Sequence, residues 1–148
     1  MPLYALGLNH RTASIEVRER VAFPLEAQRS AIDGLRQETD AQEIALISTC
    51  NRTEIYLRAN TGEAIEAAAR WLGSLPATQG LDLNSHLYML SEAEVPRHVF
   101  RVASGLDSMI LGEPQILGQV KLAVKIASEA NALSGPLDRL FQETFKVA

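Results

Sequence analysis

The chain has 148 residues, a formal net charge of −4, three histidines and one cysteine. Its length and apolar content predict one soluble globular domain, and no apolar run approaches the ~20 residues that a membrane span needs. A single cysteine excludes an internal disulfide, the scattered histidines have no metal-ligand spacing, and the acidic balance argues against a broad nucleic-acid surface. The N-terminus resembles no secretory signal, so we expect a cytoplasmic protein without metal or membrane contact.

The first ninety residues predict four short strands separated by helices. The strands are expected over 3–9, 43–48, 53–58 and 86–90. Residues 43–48 are almost continuously apolar and predict a buried strand. Residues 53–58 alternate between polar and apolar, the period of a half-buried strand. Helices are expected after Pro24 and around Ile65 to Leu72.

After residue 90 the pattern is helical. Ser91 and Glu94 have capping-box spacing, although Pro96 makes the start of that helix ambiguous. Glycines then interrupt the period, and a new helix is expected near Pro114. A last apolar stripe begins at Leu137 and reaches the C-terminus without a stop signal, which predicts a fragment of a longer protein. Together the elements predict an α+β fold: a small, mostly antiparallel four-stranded sheet with flanking helices, followed by a helical C-terminal part.

Cys50 lies between the two middle strands, in "STCNRT". A lone cysteine is most often a packed core residue, and that reading stays open on composition. Its place at the end of an apolar strand instead favours an accessible thiol. A nearby cation such as Arg52, or loop N–H groups, would favour the thiolate, the reactive form. Arg52 is expected either as a solvated turn residue or as a bidentate clamp for a substrate carboxylate.

Three further positions carry weaker signals. His98 borders an apolar helical stripe and is read from the pattern as a packed residue, and His10 is read as a loop residue. Gln115 and Gln119 share one helix face in the first turns after a glycine-containing loop, a location that favours a small polar or anionic group. No strand is followed by a glycine-rich dinucleotide fingerprint.

Three stretches together resemble the glutamyl-tRNA reductase family: "GLNHRTAS", "STCNRTEIY" and "HVFRVASGLDSMILGEPQILGQVK". The resemblance covers both ends and the middle of the chain. It implies that residues 1–148 form the N-terminal catalytic domain, with the NADPH-binding and dimerisation domains absent from this chain. It also implies an enzyme of tetrapyrrole biosynthesis that makes glutamate 1-semialdehyde from glutamyl-tRNA and NADPH.

The resemblance assigns roles to individual positions. Cys50 corresponds to the nucleophile, and His98 to a histidine important for activity. The implied substrate-binding residues are Thr49, Asn51, Arg52, Ser108, Glu113, Pro114, Gln115 and Gln119. Pro96 is unusual ahead of the histidine. The family further implies a homodimer, product channelling to glutamate-1-semialdehyde aminomutase, and neither flavin nor metal.

The implied mechanism is consistent with thiol chemistry. A thiolate attacks the aminoacyl ester, and the resulting thioester accepts a hydride where a carboxylate would not. Two alternatives remain open on the sequence: a non-catalytic module that senses an amino acid and has an inert Cys50, and a stand-alone cysteine esterase.

Overall fold

The structure, a computed structural model, describes residues 2–107 and 115–148. In the described residues the elements follow in the order β1 Leu3–Asn9, α1 Ile15–Val21, α2 Leu25–Glu38, β2 Glu43–Ser48, β3 Arg52–Arg58, α3 Glu63–Gly73, β4 Tyr88–Ser91, α4 Glu94–Ala103, α5 Ile116–Glu129 and α6 Pro136–Val147. Two short 3₁₀ turns, Pro76–Thr78 and Leu83–His86, lie between α3 and β4.

The four strands form one antiparallel sheet in the order β2-β3-β1-β4. Alternation along the strands places Glu54 and Tyr56 on one face, where α4 and α6 pack, and Ile55 and Leu57 on the other, where α2 and α3 pack. The interpretation of β3 as half-buried was wrong, because helices cover both faces and every residue from Arg52 to Leu57 is buried. Polar side chains on β3 are therefore internal.

Gly7 of β1 allows two strands to approach closely at this internal face. It pairs with Glu54, and a Cβ at position 7 would lie 2.5 Å from the Thr53 carbonyl oxygen and 2.8 Å from Glu54 Cγ. A real Cβ does not tolerate such contacts, so only glycine leaves room for the Glu54 side chain beneath the strand.

The ends of α4 and α6 have identifiable stop and start signals. Helix α4 ends in a Schellman motif, in which Gly105 has φ 81° and Leu106 N–H donates to the Arg101 carbonyl. The N-terminus of helix α6 is capped by a side chain from the sheet. The buried Glu43 carboxylate accepts hydrogen bonds from the backbone N–H groups of residues 134, 135, 137 and 138. A negative charge at a helix N-terminus is favourable.

The predicted α+β class and four-stranded sheet are confirmed. The last strand, Tyr88–Ser91, begins two residues later and ends one residue later than expected, because the 3₁₀ turn includes His86. Glu94 accepts from Ser91 N–H, but Ser91 is not the N-cap of α4, because the helix begins at Glu94 after Ala93, which makes no side-chain cap. Pro96 fits within the first turn of α4. Helix α1 was missed, although Ser14 caps it by accepting from Val17 N–H.

Candidate functional site

Cys50 lies in the short turn of the β2–β3 hairpin, as predicted. Ser48 pairs with Thr53, and the Thr49 N–H donates to the Arg52 carbonyl at 2.8 Å, closing the turn. The Asn51 N–H donates to Thr49 Oγ1 at 3.1 Å. The cysteine is exposed. A turn held at both ends by a rigid sheet therefore presents the thiol to solvent.

The cation in contact with this turn is Arg18 of α1. Its Nε donates to the Cys50 carbonyl at 3.3 Å, and its Nη1 donates to the Ala13 carbonyl at 2.9 Å. The sequence interpretation named Arg52 as a source of positive potential and did not consider Arg18, because helix α1 was not assigned. The Ser14 cap before "IEVRERV" is the signal that could have found it.

A cleft of about 400 Å³ opens beside Cys50. Ser48, Thr49 and Cys50 form its base. Its walls come from the start of α2 and from α5, and comprise Ala22, Phe23, Pro24, Leu25, Gln28, Gln119, Leu122 and Ala123. A larger cleft, of about 630 Å³, lies between α3 and residues 81–89, but it contains none of the predicted site residues. We therefore take the smaller cleft, which adjoins the thiol, as the candidate site.

Gln28 is the unusual polar member of the cleft wall. Gln28 is 3% exposed, and its Nε2 donates to the Phe23 carbonyl at 3.0 Å. Its Oε1 is buried without a hydrogen-bond partner among the described residues. The amide orientation follows from the Phe23 contact, because only the nitrogen can donate to a carbonyl.

Arg52 is 1% exposed, so its interpretation as a solvated turn residue was wrong. Its Nη1 lies 3.2 Å from Glu54 Oε2, and its Nη2 lies 3.0 Å from Asp107 Oδ2 and 2.5 Å from the Asp107 carbonyl oxygen. Arg11 Nη1 donates to the other oxygen of Asp107 at 2.8 Å. Burial lowers the pKa of Arg52, but the Glu54 and Asp107 charges outweigh it and raise that pKa.

Glu54 is the centre of a buried polar cluster that connects β3 to α4. Its carboxylate accepts hydrogen bonds from Arg52 Nη1, from the Tyr56 hydroxyl at 2.6 Å, and through short contacts from the Tyr88 hydroxyl and His98 Nε2. Burial raises the pKa of Glu54, but the His98 hydrogen bond and the His98 and Arg52 charges lower it to about 2. The carboxylate is therefore ionised, and His98 Nε2 must carry a proton.

The pKa values of the two tyrosines that contact Glu54 are shifted upwards, whereas that of Glu54 is shifted downwards. Burial and the adjacent Glu54 charge raise the pKa of both Tyr56 and Tyr88. Both hydroxyls therefore stay protonated as donors to the carboxylate. The alternation of β3 placed Glu54 and Tyr56 on one face, but no sequence signal indicated that His98 and Tyr88 would join them.

His10 follows β1 directly. Its Nδ1 is buried without a hydrogen-bond partner among the described residues. Burial and the Arg52 and Arg11 charges lower its pKa. It is therefore neutral at pH 7 and lies within the field of the charges around Arg52 and Asp107.

The described part of the structure arranges the predicted residues in two groups. Thr49, Cys50 and Gln119 share the cleft, and Asn51 belongs to the same turn. Arg52 and His98 meet at Glu54, on the sheet face that α4 and α6 cover. Gln115 is exposed and directly precedes α5. The remaining predicted substrate-binding residues, Ser108, Glu113 and Pro114, lie outside the described residues.

The described residues contain neither a candidate metal cluster nor a helix suited to span a membrane. Within residues 2–107 and 115–148, no group of three or more His, Cys, Asp or Glu side chains could hold a metal ion. In the same residues, none of the helices combines the length and apolar character that crossing a bilayer requires.

The fold and the site define an α+β domain that presents one thiol at a strand turn. Residues 6–148 match the family model described as "Glutamyl-tRNAGlu reductase, N-terminal domain". The chain is 52% identical over 148 residues to glutamyl-tRNA reductase of Stenotrophomonas maltophilia strain R551-3 and 51% identical to that of strain K279a. In each case the match covers 100% of this chain and 33% of the relative.

A solved structure gives the same result. "Glutamyl-tRNA Reductase from Methanopyrus kandleri" superposes with a TM-score of 0.80 at 28% identity, over 98% of this chain and 33% of that one. The chain therefore belongs to the glutamyl-tRNA reductase N-terminal domain family. It spans about a third of the length of the relatives that it matches.

Proposed function

We propose that this chain is the acyl-accepting part of an NADPH-dependent glutamyl-tRNA reductase of tetrapyrrole biosynthesis, with Cys50 as its nucleophile. The exposed thiol in the β2–β3 turn is the observation that carries the proposal. An inert core cysteine would be buried in the sheet. Family membership supports glutamyl-tRNA as the substrate, because relatives named glutamyl-tRNA reductase match this chain over its whole length.

The first chemical step needs only the described turn and the substrate. The Cys50 thiolate attacks the carbonyl carbon of the glutamyl ester, and a carbon–sulfur bond forms while the bond to the ribose oxygen breaks. The leaving oxygen takes a proton and departs as the ribose hydroxyl. The product is a thioester on Cys50, which is far easier to reduce than a free carboxylate.

The described residues do not fit a dinucleotide cofactor. Residues 10–14, after β1, contain no glycine, and the sheet is antiparallel rather than the parallel sheet of a dinucleotide-binding fold. The steps that we derive for this chain therefore end at the thioester. We assign NADPH binding and the release of glutamate 1-semialdehyde to the longer protein, without metal or flavin.

We further propose that Thr49, Asn51 and Gln119 orient the glutamyl group. The resemblance to the family implies the same role for Ser108, Glu113, Pro114 and Gln115. If Arg52 also binds a carboxylate of the substrate, that carboxylate must share the guanidinium with Glu54 and Asp107. Arg52 Nη1 already donates to Glu54, and its Nη2 already donates to Asp107. The geometry therefore supports an additional role, in which Arg52 ties the turn of Cys50 to Asp107, the residue that precedes Ser108.

His98 is proposed to act beside the substrate in proton transfer or in shaping the pocket. Its Nε2 is engaged by Glu54, so its Nδ1 is the nitrogen left for such a role. For the longer protein we extend the proposal, on family membership, to a cytoplasmic homodimer that passes its aldehyde to glutamate-1-semialdehyde aminomutase.

The test uses the 148-residue chain with glutamyl-tRNA and no NADPH. Mass spectrometry should detect a glutamyl adduct on Cys50, or free glutamate should be released by its hydrolysis. Iodoacetamide should alkylate the native chain, and the alkylated chain should lose both products. Cys50→Ser should also abolish the adduct and reduce glutamate release to the spontaneous rate of ester hydrolysis, because an unactivated hydroxyl is a much weaker nucleophile at neutral pH.

A control variant combines Cys50→Ser with Ser30→Cys, which keeps one thiol at an exposed position of α2. It should be alkylated but should form no glutamyl adduct. Native protein that resists alkylation until it is unfolded would favour the alternative of a sensing module with an inert cysteine. Release of glutamate by Cys50→Ser at the wild-type rate, above the spontaneous hydrolysis of the ester without protein, would refute the nucleophile assignment.

A further inference from the structure

Glu54, Gly7 and Tyr88 form one row across three neighbouring strands of the sheet. Gly7 of β1 pairs with Glu54 of β3 on one side and with Tyr88 of β4 on the other. Directly paired residues project from the same face of a sheet, and strands that are two apart lie roughly 10 Å from each other. Because Gly7 has no side chain, the side chains of Glu54 and Tyr88 extend over it from both sides, and the Tyr88 hydroxyl donates to Glu54 Oε2.

The same carboxylate oxygen accepts from His98. Glu54 Oε2 takes hydrogen bonds from the Tyr88 hydroxyl, from His98 Nε2 and, at 3.2 Å, from Arg52 Nη1. The rings of Tyr88 and His98 also contact each other edge-on, with their centroids 5.7 Å apart and an angle of 60° between their planes. Tyr88 therefore constrains His98 twice, once through its ring and once through the oxygen that they share.

We propose that Tyr88 is a positioning residue for His98, which holds the imidazole against Glu54 so that its Nδ1 is presented to the substrate in one orientation. The inference rests on the proposed function and deepens it, because it states how the His98 ring is held during the acylation of Cys50. The hydrogen bond of one ring nitrogen determines what the other nitrogen can do, and a reacting side chain needs its rotamer fixed by the contacts around it. His98 keeps 16% of its side chain exposed, so it is accessible from outside the cluster.

A purely structural role for Tyr88 predicts a different result. If the hydroxyl only helps to satisfy the buried Glu54 carboxylate, its removal lowers the free energy of unfolding and leaves the acylation rate of the folded chain unchanged. A positioning role instead lowers the acylation rate of the folded chain, and it does so only while His98 is present.

The experiment compares the rates at which glutamyl-tRNA acylates Cys50 in the wild-type 148-residue chain and in Tyr88→Phe. Phenylalanine keeps the ring beside His98 and removes only the hydroxyl. With the substrate below saturation and both proteins folded, mass spectrometry of acid-quenched samples should show acylation slowed about three- to tenfold, as expected for the loss of one net hydrogen bond. The rate at which iodoacetamide alkylates Cys50 should stay unchanged, because alkylation needs the exposed thiol and not His98. Tyr4→Phe is the matched control on β1, outside this cluster, and should leave both rates unchanged.

A double-mutant cycle tests whether Tyr88 acts through His98. His98→Ala removes both ring nitrogens, so adding Tyr88→Phe in that background should change the acylation rate by less than twofold. Residues that act through each other are non-additive in this way, whereas independent effects add. If Tyr88→Phe slows acylation by the same factor with and without His98, the proposal is overturned.

Nuclear magnetic resonance of the isotope-labelled wild-type chain gives a second test, which also applies if Tyr88→Phe does not fold. The neutral His98 ring should be the Nε2–H tautomer, with its signals identified by their loss in His98→Ala. The Tyr88 hydroxyl proton should show a nuclear Overhauser effect to His98 Nε2–H, because both groups donate to Glu54 Oε2. A His98 ring in the Nδ1–H tautomer would contradict the proposal.

The outcomes separate this proposal from the proposed function. Acylation of Tyr88→Phe at the wild-type rate would refute the positioning role and leave Cys50 as the nucleophile. If Tyr88→Phe slows alkylation as much as acylation, the hydroxyl acts on the turn of Cys50 rather than on His98, and the proposal also fails. Absence of acylation in the wild-type chain would refute the proposed function itself.

Discussion

Replacing Glu54 by glutamine should strongly destabilise the domain and should change how its stability depends on pH. The carboxylate is 1% exposed and accepts from Arg52, Tyr56, Tyr88 and His98. A glutamine amide has one accepting oxygen, and its NH2 group would face other donors. Arg52 would also keep a buried charge with one carboxylate partner removed.

The magnitude follows from the pKa. Lowering the pKa of Glu54 from its ordinary value of 4.5 to about 2 corresponds to about 3 kcal/mol of unfolding free energy, at roughly 1.4 kcal/mol for each pH unit. Breaking a buried ion pair by removing one partner costs about 3–5 kcal/mol, which is the same range. We therefore expect Glu54→Gln to lose about 3 kcal/mol or more at pH 7.

The direction of the pH effect is defined. A depressed carboxyl pKa contributes stability that is fully present above about pH 4.5 and is lost as the pH falls toward 2. Urea unfolding of wild type and Glu54→Gln should therefore differ most at pH 7, and the difference should shrink steadily between pH 4.5 and 2. Circular dichroism and tryptophan fluorescence provide two signals, since the chain has one tryptophan.

Glu38→Gln is the matched control, because Glu38 is exposed at the end of α2. Its effect should stay within about 0.5 kcal/mol, as is usual for a surface position. A difference below 1 kcal/mol between wild type and Glu54→Gln at pH 7 would refute the reasoning. So would a difference that stays constant down to pH 2, because the stability would then not come from the ionised carboxylate.

Two further substitutions test the buried charges of Arg52 on β3 and Glu43 on β2. Arg52→Lys should destabilise the domain by about 1–3 kcal/mol and slow Cys50 acylation several-fold to a few hundred-fold. The reason is that one ammonium cannot replace a planar guanidinium that pairs with two carboxylates. Equal acylation rates for wild type and variant, at glutamyl-tRNA concentrations below saturation, would exclude both the clamp and the positioning role. Glu43→Gln should lower the stability of the domain above about pH 4.5, where the Glu43 carboxylate is ionised also in the unfolded chain. Burial raises the pKa of Glu43, but hydrogen bonds from Leu137, Gly135 and Arg58 lower it overall. Because that contribution disappears as the pH falls, the variant and wild type should converge in acid, and amide exchange in the first turn of α6 should be faster in the variant at pH 7.

The sequence alone determined the local features of this protein. Short apolar runs, together with the alternation over residues 53–58, predicted the sheet strands, and the polar residues between 48 and 53 predicted a turn that exposes Cys50. Both are short-range properties, since strand pattern and turn composition depend on neighbouring residues. The family resemblance added the roles of Cys50 and His98, which no pattern in the chain could supply.

Only the tertiary structure decided which polar residues are internal. Three of the buried charged residues are Arg52, Glu54 and Asp107. Burial is tolerated because the positive Arg52 pairs with the two negative carboxylates. Arg52 and Asp107 lie 55 residues apart in the chain. The cleft beside Cys50 likewise needs α2 and α5, which meet only in the fold. A sequence pattern records the period of one element, whereas a buried ion pair or a cleft depends on the packing of several.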